Sequence, residues 1–232
     1  MRIVAENETG RRLTEFVLGH GDDPADELRR RGLRLVRPIE AVGTDDALTV
    51  RLLAESGSRR PRRRRRRRSP RPAPEGTVVR QRVAAYAWVR SSRGVLAAEY
   101  HRHLPDGRWT LPGGGIDPGE EATAAVHREV MEETSQRIEL GELIAINTSR
   151  RIGSRNGERE DFHAVRLIYR ADCPDPTDPV VIDVGGSTSD ATWFPYENWL
   201  QAPWTPGWRA LLTKLSERTA AMTDAPSGKS VS

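Results

Sequence analysis

The sequence predicts an α/β fold, a mixed sheet with helices on its faces, preceded by a small α+β unit. Three observations carry this. After residue 77, short strand-like runs alternate with two well-separated helical patterns, an order that builds a sheet covered by helices. Before residue 56, four short strand-like runs surround one short helix. Between the two, SGSRRPRRRRRRRSPRPAPEG at 56–76 repels itself and offers nothing to bury. The expected division is a small unit at 1–55 of unknown role, a disordered Arg/Pro-rich linker at 56–76, a main domain at 77–222 and a disordered tail at 223–232.

In the first unit, residues 3–5 and 13–18 read as strands. Asp22 or Asp23 can cap a helix, Pro24 suits its first turn and Gly32 can end it. Residues 33–36 and 48–53 read as further strands, the second following the polar turn Thr44, Asp45, Asp46. A unit this small is marginal alone, so docking on the main domain or pairing with a second copy is expected. In the main domain, residues 82–89 and 95–100 form a hairpin around the turn at 91–94. Residues 109–111 lead into a glycine-rich loop, and residues 120–134 read as a helix. Strand patterns recur at 142–147, 162–170 and 191–195, before a last helix at 208–220.

Composition sets the bounds. Ten arginines lie between Arg59 and Arg71 with no acid among them; without them the net charge of +4 becomes −6, so the remainder is mildly acidic. Arginine outnumbers lysine 35 to 2, which weakens the case for any single arginine as a chosen contact. The arginine run is expected to touch nucleic acid non-specifically, since no aromatics interleave to stack on bases. No apolar stretch approaches the roughly 20 residues of a membrane helix, and no secretory signal is recognisable. Cys173 is the only cysteine, which excludes an internal disulfide and a cysteine-based zinc site, and a cytoplasmic location is the expectation.

The chemistry is concentrated in LPGGGIDPGEEATAAVHREVMEETSQ, residues 111–136. Three consecutive glycines let backbone approach a ligand. Asp117, Pro118 and Gly119 make a tight turn into the helix. Glu129, Glu132 and Glu133, spaced by three and four, share one helix face, where like charges repel. A divalent cation removes that conflict, and magnesium commonly divides its oxygen ligands between carboxylates and substrate phosphates. Ala122, Ala125, Val126 and Val130 supply the apolar face opposite.

This stretch resembles the box of the Nudix hydrolases, G-x5-E-x7-R-E-U-x-E-E-x-G-U with U a bulky aliphatic. Gly114, Glu120, Arg128, Glu129, Val130, Glu132 and Glu133 fall on it in register, after the approach Trp109, Leu111, Pro112 and Gly113. Ser135 stands where the box has glycine, and Gln136 where it has an aliphatic residue, with Ile138 a candidate for that packing role. A left-handed serine at the helix end would cost about 1–2 kcal/mol. The resemblance covers roughly residues 80–215. It implies a Nudix-type α/β/α sandwich and a Mg2+-dependent (Mn2+ possible) cleavage of a pyrophosphate bond in a nucleoside diphosphate-linked substrate. It assigns metal binding to Glu129, Glu132, Glu133 and the Gly113 carbonyl, with Glu129 a further ligand or the base. Arg128 would orient the glutamates, and Gly114 and Glu120 would hold the loop and helix start. The late-loop acid many Nudix enzymes add is expected at Asp183, with Asp190 second.

Other groups read less sharply. Arg150, Arg151 and Arg155 lie among Gly153 and Gly157 in an expected loop, where Arg150 and Arg151 could meet substrate phosphates. His101, Arg102 and His103 read as a surface turn, Asp161 and His163 as structural, and Trp193, Trp199, Trp204 and Trp208 as core packing. A zinc ribbon and the proline and tyrosine of the ADP-ribose and diadenosine subtypes are missing, which favours a nucleoside triphosphate or similar small nucleotide. The alternatives are a non-catalytic nucleotide sensor and an RNA-end pyrophosphohydrolase. A homodimer is a further possibility.

Overall fold

The computed structural model describes residues 1–57, 73–100, 108–155, 157–182 and 186–223. The arginine run, His101, Arg102, His103, Asp183 and the tail beyond residue 223 lie outside the described residues. The first unit comprises β1 (Arg2–Glu6), β2 (Arg12–Val17), α1 (Pro24–Arg30), β3 (Leu33–Val42) and β4 (Thr49–Ser56). The main unit follows with β5 (Val78–Ser91), β6 (Gly94–Tyr100), β7 (Arg108–Thr110), β8 (Gly113–Gly115) and α2 (Ala122–Thr134). It ends with β9 (Glu139–Arg155), β10 (Glu158–Asp172), β11 (Thr188–Phe194) and α3 (Pro206–Thr223).

The first sheet has the order β2-β1-β4-β3, with β1 and β4 parallel. Helix α1 starts where Asp23 Oδ1 accepts the Ala25 and Asp26 N–H groups at 3.0 and 3.1 Å, with Pro24 needing no partner at the first position. Strand β3 runs on to Val42, well past the expected 33–36. Pro38 is tolerated there because β3 is an edge strand, and its pairing with β4 shifts register on both sides of that proline.

The second sheet has the order β11-β6-β5-β10-β9, with β7 paired to β6 and β8 to β5. Strands β5 and β10 are parallel and the other pairs antiparallel, so the sheet is mixed. Alternate β5 residues divide between two cores. Ala85, Ala87 and Val89 join the core of α2, with Val126 and Val130. Tyr86 and Trp88 join that of α3, with Trp208, Leu212 and Leu215. Helices therefore cover both faces. Ile3, Ala5, Leu28, Val50 and Leu52 of the first unit share the α2-side core with Val165 and Leu167, which supplies the apolar cover this unit lacks alone. Trp193 belongs to that core, and Trp199, Trp204 and Trp208 to the other.

The pattern of residues 148–155 predicts a loop, and here the structure corrects it. Arg150, Arg151 and Arg155 lie on β9, paired with β10 as far as Arg155 opposite Glu158. This stretch lacks apolar alternation, so its strand character comes from the ladder with β10 rather than from its own pattern.

Candidate active site

The site begins with the backbone of β8. Gly113 has φ +140°, and a Cβ there would meet the Ala85 carbonyl and stand 2.6 Å from Tyr86 Cα, so only glycine lets β8 lie this close to β5. Gly114 has no side chain because the Glu129 carboxylate fills that space, with Cδ 2.5 Å from where a Cβ would be. Gly115 likewise lies against the Arg82 guanidinium. The turn that follows is closed by the Glu120 N–H on the Asp117 carbonyl at 2.9 Å, and by the Asp117 N–H on Glu120 Oε2 at 2.9 Å.

Helix α2 begins at Ala122, two residues later than the pattern suggested, because Glu120 is engaged in this turn and Glu121 takes the capping position. Its polar face is organised by Arg128. Nε and Nη2 donate to the two Glu120 oxygens at 2.9 Å each. Nη1 donates to Glu129 Oε1 at 3.0 Å and to Glu132 Oε2 at 3.1 Å, and Nη2 also reaches the Gly115 carbonyl at 3.0 Å. One guanidinium thus ties loop, helix start and two box glutamates together, a task that needs its planar fork of donors. Glu133 is buried against the same β8 backbone rather than bound to Arg128. Its Oε2 accepts the Gly113 N–H at 2.8 Å, and the Thr188 hydroxyl donates to Oε1.

These contacts set the charge states. The bond from Arg128 holds the Glu120 carboxyl below the usual carboxylate range. Burial pushes Glu129 up, a tendency opposed by Arg128 and reinforced by Glu132. Among the described residues no three acidic, histidine or cysteine side chains already converge as a cage. The donor set nevertheless fits a hard divalent cation. It offers carboxylate oxygens on one helix face, those of Glu129 and Glu133 largely withdrawn from water, against a stretch of backbone kept free of Cβ atoms.

Several neighbours escape sequence reading. Arg82 on β5 lies beside Gly115 and Glu129. Arg166 on β10 donates to Ser149 Oγ at 2.9 Å and, with Arg82, opposes the rise that burial gives the Tyr86 phenol. Thr188 brings the start of β11 to Glu133. In a chain with 35 arginines, nothing in the sequence singles out Arg82 or Arg166. Only the pairing of β5 with β8 and β10 does.

The remaining sequence candidates are placed as follows. Arg150 is turned to the first unit, its Nε donating to Asp161 Oδ1 at 2.7 Å and its Nη2 to Oδ2 at 2.5 Å. Gly21 leaves room for its side chain. Arg151 is on the opposite face of β9, 3.8 Å from Glu160 and in one row with Phe162 and Arg80. Asp190 is exposed on β11, where its carboxylate accepts the Ala191 N–H at 2.8 Å. Asp183 lies outside the described residues, the last of which before it, Ile182, donates its N–H to the Glu132 carbonyl at 2.9 Å. Asp161 and His163 are buried beside the first unit, with His20 Nε2 3.0 Å from Asp161 Oδ1. No helix among the described residues is long and apolar enough to cross a membrane.

Comparison with known proteins identifies the family. The family model described as NUDIX domain matches residues 80–215. The nucleoside triphosphatase NudI of Escherichia coli O1:K1 is 34% identical over 70 residues, which are 29% of this chain and 48% of that protein. The chain therefore matches about half the length of these curated relatives. The crystal structure of a MutT NUDIX hydrolase from Burkholderia pseudomallei is similar at 28% identity and a TM-score of 0.42, covering 59% of this chain and 98% of that one. The NUDIX domain of Shewanella oneidensis NrtR, solved with ADP ribose, is similar at 23% identity and a TM-score of 0.44, covering 60% and 89%. With the family model matched over more than half of its length and the box glutamates gathered around Arg128, the chain belongs to the Nudix family.

Proposed function

We propose that this chain is a magnesium-dependent pyrophosphohydrolase of small nucleotides, with a nucleoside triphosphate the favoured substrate. The observation that carries the reading is the brace of Arg128 on Glu120, Glu129 and Glu132 within a complete set of box acids. The name of the Escherichia coli relative, nucleoside triphosphatase, favours that substrate class.

Glu129, Glu132, Glu133 and the Gly113 carbonyl would hold the metal, joined by Asp183, and Mn2+ would serve in place of Mg2+. When bound, the ion neutralises charge on the phosphates and makes a bound water more acidic. The chain's own residues do the rest. A water oxygen bonds to one phosphorus, the bond from that phosphorus to the bridging oxygen breaks, and the water proton passes to Glu129 or Glu132. Arg128 keeps both acceptors in place. Arg82 and Arg166, rather than Arg150, would bind the polyphosphate, because they flank the box while Arg150 is committed to Asp161. Arg151 lies farther along the same face of the sheet as Arg166.

The test is a nucleotide panel with magnesium, run beside Glu132→Gln. Cleavage by the parent, abolished by EDTA and reduced about 10²-fold or more in the variant, is expected. A parent that cuts nothing in the panel, yet gains melting temperature with one nucleotide, would transfer the reading to a nucleotide sensor.

A further inference from the structure

We propose that the first unit grips the box loop, and that Asp45 is a positioning residue for hydrolysis. This rests on the function proposed above, and it gives residues 1–56 a role that their sequence does not suggest.

The grip is a tight turn between β3 and β4. Gly43 has φ +90°, and a Cβ there would stand 3.0 Å from the Ala47 carbonyl, so the turn closes only around glycine. Thr44 is extended, Asp45 opens a short 3-10 turn, and the Ala47 N–H closes it on the Thr44 carbonyl at 3.0 Å. The turn reaches the box loop at two places. Asp45 Oδ1 accepts the Gly119 N–H at 2.8 Å. Thr44 pairs with Glu121 in an isolated antiparallel bridge.

These two contacts straddle Glu120, the residue through which Arg128 connects the loop to Glu129 and Glu132. The loop needs such an anchor. Gly119 has φ +79° and no atom within 4 Å of where a Cβ would be, so packing does not fix it. No side chain caps α2 at Glu121 either. The gripping turn is itself held, because the first unit shares the α2-side core and is tied to β9 by Thr148 Oγ1 donating to Asp23 Oδ2 at 2.8 Å. The charge-assisted bond that the Gly119 N–H donates to the Asp45 carboxylate sets the height of Glu120, and through Arg128 the spacing of the acids that act on water.

Asp45→Ala in the full chain tests this. The expected result is a kcat lowered about 3- to 10-fold, KM within about twofold, and a melting temperature reduced by no more than about 3 °C. Asp45→Asn retains an acceptor oxygen and is expected to recover most of the lost kcat. Exchange of the Gly119 amide, followed by NMR without metal, is expected to speed up in Asp45→Ala and to stay near the parent rate in Asp45→Asn. Parent-like kcat in Asp45→Ala, or an Asn variant as impaired as the Ala variant, would overturn the proposal. If the parent hydrolyses nothing, the proposed function fails on its own account. Gly119 exchange then decides the grip, with equal rates in parent and Asp45→Ala overturning it.

Discussion

Gly114 and Glu129 occupy one space: the Glu129 carboxylate stands where the first side-chain atom of any other residue at 114 would be, with Oε2 and Cδ both 2.5 Å from that point. The box glycine is thus the seat of a box acid. A methyl at 114 must displace the end of a flexible side chain rather than the backbone, so the damage falls on the position of Glu129. Gly114→Ala is expected to fold with a melting temperature close to the parent and to lose about 10²-fold in kcat, the scale of a displacement near 1 Å. Parallel turnover and thermal melts check this. Parent-like turnover would mean that Glu129 works from elsewhere.

The substitution of serine for the usual box glycine is absorbed locally. Ser135 adopts the left-handed conformation, φ 55° and ψ 22°, and its N–H closes the helix on the Met131 carbonyl at 2.9 Å. Strain of about 1–2 kcal/mol is offset by the Ser135 hydroxyl, which donates to the Val180 carbonyl at 2.7 Å. Glycine would relieve the strain but lose that bond and loosen the unfolded chain. Ser135→Gly is therefore expected within about 1 kcal/mol of the parent in urea unfolding, while Ser135→Ala, strained and without the bond, is expected to lose about 1 kcal/mol. A glycine variant stabilised by more than about 2 kcal/mol would show that the hydroxyl contributes nothing.

What the sequence made legible followed spacing along the chain. The box acids on one face of α2, the α2 apolar face, the capping by Asp23 or its neighbour, and the left-handed end at Ser135 are all local relations. What it concealed depends on partners distant in sequence. The outer half of β9 is a strand only because β10 pairs with it. Gln136 departs from the aliphatic box position yet is buried, its amide satisfied by the Thr134 carbonyl at 3.1 Å and Thr177 Oγ1 at 2.9 Å, while Ile138 packs on the core beside it. Arg82, Thr188 and Asp45 reach the box from strands and turns whose placement no short pattern encodes.

Asp161 makes the junction between the two units sensitive to acid. It is almost fully buried, and the bonds from Arg150, with a smaller contribution from His20, hold its carboxyl well below the ordinary 3.8, down to about 2. A carboxylate lowered by folding stabilises the native state fully above its unfolded pKa and loses that contribution as the pH falls toward the folded one. The window is therefore pH 3.8 down to about 2. Asp161→Asn removes the charge at every pH, and it leaves Arg150 and His20 facing a neutral amide. The melting temperature of the parent is expected to exceed that of Asp161→Asn by a constant margin above about pH 5, and the gap should narrow steadily below about pH 4. Thermal melts of both proteins from neutral pH to about pH 2 read this directly. A gap that stays constant to the acid end would mean that the ionised Asp161 carboxylate adds no stability through Arg150 and His20.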